Sequence, residues 1–130
     1  MFTLAYDRAH NVLLARFAGV FSSQDIEELD RAVMAFTARE GPSHGLLDFT
    51  AVDAISVPLS RLVQRSQQPP FSPGHRRVFV ADGAQALELA RTFASEQALA
   101  GSGGVQIVAT RAEAYALLRI GKTPRFEPVG

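Results

Sequence analysis

Gly45-Leu46-Leu47-Asp48-Phe49-Thr50 is the stretch that decides how the rest of the chain is read. Its large apolar side chains fall on both parities of a short run, opened by a glycine and closed by a threonine. Strict alternation would leave one face wet. An unbroken apolar run instead suits a strand covered on both faces, as in a parallel sheet between helices. The same pattern recurs at Val78-Phe79-Val80-Ala81, and a further strand is expected from Val105 to Ala109.

Amphipathic helices are expected between these runs. Upstream, Ile26, Leu29, Val33 and Phe36 form one apolar stripe, with Ser22 or Ser23 as N-cap, Asp25 beside it, and Gly41-Pro42 as the stop. Downstream, Ser56 is expected to cap a second helix that has Pro58 in its first turn and Leu59, Leu62 and Val63 facing inward. Asp82 is expected to cap a third helix, carrying Leu87, Ala90, Phe93 and Ala94. Thr110-Arg111-Ala112-Glu113 is a capping box opening a fourth, with Ala114, Leu117 and Leu118 inward. At the N-terminal end, Phe2, Leu4 and Tyr6 alternate as in a half-buried strand. A polar turn over residues 7–11 then leads to a second strand, Val12 to Phe17.

The expected order is therefore β-β-α-β-α-β-α-β-α: one α/β domain over residues 1–120, with a mostly parallel five-stranded sheet and four helices. Residues 121–130 hold two Pro and two Gly and are expected to form a flexible tail. A length of 130 residues with 47% hydrophobic side chains suits one domain with a real core. Thirteen basic and thirteen acidic residues cancel, which argues against nucleic acid as a partner, since phosphate neutralisation needs a cationic surplus. There is no Cys, so disulfides, thiolate metal sites and cysteine nucleophiles are all excluded. No secretory signal and no apolar run of membrane-spanning length is read, so the expected location is cytoplasmic, without membrane insertion.

Two local patterns resemble the STAS family of anti-sigma-factor antagonists. One is Leu14-Ala15-Arg16-Phe17-Ala18-Gly19 followed by the helix from Ser22 to Val33. The other is Leu47-Asp48-Phe49-Thr50-Ala51-Val52-Asp53-Ala54-Ile55, similar to the family's strand-to-helix segment with its short apolar turn. The resemblance covers roughly residues 12–63. It implies a SpoIIAA-like fold and a regulatory role through protein contacts. In phosphorylation-switched members the turn ends in Asp-Ser-Ser-Gly. Here the matching stretch is Ser56-Val57-Pro58-Leu59, which puts Pro58 where the acceptor serine stands. The phospho-switch does not carry over, although Ser56 and Ser60 lie nearby. The pattern is closer to the divergent SpoIIAA-like proteins also described as STAS/SEC14-like, a label that implies a small apolar or lipid ligand.

Candidate chemistry gathers where strands give way to helices. Asp48, Asp53 and Asp82 are the residues a metal-assisted enzyme would use, with Asp48 and Asp82 as the carboxylate pair. Capping and loop bracing explain the same residue types, and neither a metal nor any other cofactor is expected. His44 and His75 both precede strands, at the end of the sheet opposite the carboxylates, and His10 lies in the hairpin turn. No catalytic triad follows from those places. The glycine run 101–104 precedes a strand, whereas phosphate-cradling glycines follow one.

The remaining contact candidates are Thr50, Ser56, Ser60 and the loop from Gln67 to Arg77, which carries Phe71, Arg76 and Arg77. The expected function is a non-enzymatic interaction module with a protein partner or a second copy, as a homodimer. An exposed edge at Phe2 to Tyr6 is one route to self-pairing. The alternative is a small-molecule site between the second and third helices, around Leu62, Val63, Phe71, Leu87 and Phe93.

Overall fold

The computed structural model describes residues 1–69, 72–102, 104–121 and 123–129. A hairpin of β1 (Phe2–Asp7) and β2 (Val12–Ser22) leads into α1 (Ser23–Glu40). Then follow β3 (His44–Ser56), α2 (Leu59–Ser66), β4 (Arg77–Val80) and α3 (Ala84–Leu99). The chain closes with β5 (Val105–Val108), α4 (Arg111–Leu118) and β6 (Glu127–Val129). The six strands form one mixed sheet in the order β5-β4-β3-β2-β1-β6. The ladders β2–β3, β3–β4 and β4–β5 are parallel, and β1 runs antiparallel to both its neighbours.

The hairpin turns through Arg8–Asn11, and Asn11 takes the left-handed backbone conformation that its short amide side chain tolerates. Its amide oxygen accepts from the Tyr6 hydroxyl at 2.7 Å, which pins the turn to the strand before it. Ser22 caps α1 as expected. The Asp25 carboxylate reaches back to the Ser22 N–H at 2.9 Å, and the Gly41 N–H closes the far end on the Thr37 carbonyl. Thr110 accepts from the Glu113 N–H and opens α4.

Alternate residues of β3 serve two cores. Phe49 faces α1, α2 and α3 in the larger one, where its ring stacks on Phe17 at 4.9 Å and meets Phe21 edge-on at 5.3 Å. Leu46 faces α4 in the smaller one, with Val78, Val80, Ala114, Leu118 and Ile120. The double-sided apolar run is thus explained by helices on both faces.

Several expectations are corrected. The sheet has six strands rather than five, because the segment read as a tail supplies β6, with Glu127 opposite Tyr6 and Val129 opposite Leu4. That pairing covers Leu4–Tyr6 and makes β1 an interior strand instead of the expected exposed edge; the outer strands are β5 and β6. Strand β3 does not end at Thr50. Its pairing with β4 stops at Asp48, but β2 accompanies it to Ser56 through two register shifts, one beside Gly19 at φ +72°. Ser56 therefore ends a strand opposite Ser22 instead of capping a helix. The N-cap of α2 is Pro58, whose carbonyl accepts from Arg61 and Leu62. Asp82 is likewise displaced as a cap by Gly83. Leu59 is 65% exposed, while Leu62 carries the buried face of α2.

Candidate functional site

The carboxylate proposed as a metal ligand is held by its own chain. Asp48 sits on β3 facing α4, with only 2% of its surface exposed. One oxygen accepts from the Thr50 N–H at 2.8 Å and the Thr50 hydroxyl at 2.7 Å. The other accepts from Arg111 Nε at 2.5 Å. Burial alone would raise the Asp48 pKa, but the Thr50 hydrogen bonds and the Arg111 guanidinium outweigh it and hold it below the usual carboxylate range. Arg111 in turn donates to the Tyr115 hydroxyl at 3.0 Å. This is an ion pair that locks α4 onto the sheet.

Asp53 and Asp82 are exposed and stand apart from that pair. They line a cleft of about 260 Å³ with Thr50 and the start of α3, Gly83 to Ala86. Asp48 does not line it. The supposed carboxylate pair is thus divided between a buried ion pair and an open cleft. Among the described residues, no group of three or more His, Asp or Glu is placed to hold a metal ion.

The other contact candidates scatter. Ser56 ends β3 and Ser60 lies in α2, both exposed. Phe71 lies outside the described residues. Arg76 and Arg77 are adjacent, just before and at the start of β4, and their side chains reach different helices. Arg76 is exposed and donates to the Leu117 carbonyl at 2.7 Å, at the end of α4. Its N–H donates to His44 Nδ1 at 2.9 Å, and the His44 and His75 rings lie 5.1 Å apart. Burial first, then the neighbouring His75 and Arg76 charges, lower the His44 pKa.

Arg77 turns towards α3, where it donates to Gln97 Oε1 and to the Ser102 carbonyl. Burial and the nearby Arg65 lower its pKa. Arg77 also lines a groove between α1, α2, α3 and the sheet. The groove has two lobes of about 130 Å³ and 90 Å³, sharing Leu29, Leu47, Phe79 and Phe93 as apolar walls and the Asp30–Arg65 ion pair as a polar one. That pair closes at 3.0 Å. Leu62 and Phe93, named from the sequence, do line the groove, whereas Val63 and Leu87 do not.

Sequence reasoning missed Asp30, Arg65, Gln97, Arg111 and Tyr115. Arg111 was visible only as the second residue of a capping box, and its partner lies 63 positions away. Asp30 and Arg65 sit on the inner flanks of two helices whose separation no local pattern encodes. Among the described residues no helix is long and apolar enough to cross a membrane. No family model matches the chain, and the comparison with curated proteins returns no match.

Proposed function

We propose that this chain is a non-enzymatic regulatory module of STAS-like type that acts by binding. The observation that carries the reading is how its buried carboxylates are engaged. Asp48 is held by Arg111 and Thr50. Asp7 accepts N–H donors from His10 and Arg125 at 3.1 Å each, and Asp25 caps α1. Each stabilises a junction between elements, which is a structural use of charge rather than a poised acid or base. Pro58 at the N-cap of α2 further supports a module without the family's serine switch at that position. Self-association finds support in β5, an edge strand of sequence Val-Gln-Ile-Val that carries no charge or proline to discourage strand pairing.

A second reading, a small-molecule-binding domain, is favoured by the two-lobed groove under α1, α2 and α3. Native mass spectrometry of freshly purified protein separates the two. A dimer of unadorned chains supports the interaction module. A retained non-covalent mass supports the ligand-binding reading. An unmodified, ligand-free monomer at micromolar concentration counts against both.

A further inference from the structure

The two edges of the sheet are not alike. The outer strand β6, Glu127–Val129, carries a glutamate and a proline, both of which discourage a further strand from pairing. The outer strand β5, Val105–Val108, carries neither. Its main-chain directions follow from one hydrogen bond. The Val108 carbonyl accepts from the Ala81 N–H at 2.9 Å, so Val108 and, two residues back, Gln106 turn their main-chain groups towards β4. Val105 and Ile107 therefore turn theirs outward, and among the described residues no strand pairs with that side of β5. The side chains alternate between the faces of the sheet. Val105 and Ile107 pack against the larger core, Val108 packs against the smaller one, and Gln106 is exposed.

We propose that β5 pairs antiparallel with β5 of a second copy of this chain, about a two-fold axis that passes through Gln106 normal to the sheet. The proposal deepens the self-association reading above and rests on it. Two conditions select this register. A sheet continued across such an axis keeps its faces, so opposed residues must come from the same face. Each hydrogen-bonded pair must also join two residues whose main-chain groups point outward. Pairing Val105 with Ile107 of the second copy, and Ile107 with Val105 of the second copy, meets both conditions. Each of these pairs then exchanges both of its N–H···O bonds. Moving the axis to Val105 or to Ile107 leaves only one such pair inside β5, a residue meeting itself. Between the pairs, Gln106 faces Gln106 of the second copy at the close, non-hydrogen-bonded spacing, where an amide can both donate and accept.

The test uses the full chain carrying Gln106→Lys or Gln106→Glu, each alone and the two mixed, read by native mass spectrometry and circular dichroism. Gln106 is exposed in a single copy, so both variants keep the far-ultraviolet spectrum of the parent. The wild type is expected to be a dimer. Each variant is expected to dimerise on the order of tenfold or more weakly, because like charges stand directly opposite. Mixing the two restores a dimer that holds one chain of each, which follows only if residue 106 meets itself across the axis. In the wild type, hydrogen exchange should find the Val105 and Ile107 amides protected, a readout that needs no variant. Dimers that survive both substitutions, or that fail to return on mixing, overturn this pairing and leave self-association through another surface standing. Val105 and Ile107 amides that exchange freely in a wild-type dimer do the same. A wild type that stays monomeric overturns the proposal and the self-association reading together.

Discussion

Arg111, the first residue of α4, donates from Nε to Asp48 Oδ2 at 2.5 Å, joining the last crossover helix to the central strand β3. The two partners are unequal, since the Asp48 side chain is 3% exposed and that of Arg111 31%. Removing the arginine leaves a buried carboxylate without its cation, whereas neutralising the aspartate leaves a cation that can turn to water. Arg111→Leu is expected to cost about 3 kcal/mol, the lower end for a broken buried pair because water screens part of it. Asp48→Asn is expected to cost about 2 kcal/mol. Urea unfolding of both variants checks the order as well as the size. An Arg111→Leu protein as stable as its parent would mean the pair contributes nothing.

Acid stability follows from the same group and from Asp7. Burial works against both carboxylates, yet hydrogen bonds and neighbouring cations leave each below its usual pKa. A depressed carboxylate contributes stability above the unfolded value of about 3.9, and that contribution disappears as pH falls through the folded one. The parent should lose stability below about pH 4, and Asp48→Asn should show a shallower loss over the same range. Thermal melts between about pH 5 and pH 2.5 measure it.

His44 has the opposite charge type and a second pH window. Burial first, then the neighbouring His75 and Arg76 charges, disfavour the charged ring and lower its pKa, and its Nδ1 accepts the Arg76 N–H. The unfolded chain then takes up a proton near pH 6.5 that the folded chain refuses, and stability falls as pH drops below about that value. His44→Asn, which can keep an acceptor facing Arg76, should remove this slope. Ring-proton titration by NMR should place the folded His44 below the unperturbed value. A normal titration would dissolve the argument.

On α2, neighbouring leucines should respond very differently. Leu59 is 65% exposed and Leu62 is 7% exposed beneath it. Leu59→Ala is expected to change stability by less than about 0.5 kcal/mol, and Leu62→Ala to cost about 3 kcal/mol. Denaturation midpoints of the pair decide whether the helix is rotated as described. Similar losses for both would favour the orientation expected from sequence, with Leu59 inward.

The sequence by itself determined the α/β class, the order of the first nine elements and the two-sided burial of β3. Those features rest on local causes: apolar periodicity, the Ser22 and Thr110 caps, and the stops at Gly41 and in the hairpin turn. Only the tertiary structure decided that residues 127–129 add a strand, because β6 is three residues long and exists through its partner β1. Only it decided that β3 runs on to Ser56, since that extension depends on β2 alongside it. The candidate site divides in the same way. Asp48 and Phe93 were legible as residue types at candidate positions, but the Arg111 ion pair and the Arg77 lobe join residues far apart in the chain. Local pattern reports which face a side chain takes. Which distant side chain meets it there is set by how helices pack across the sheet.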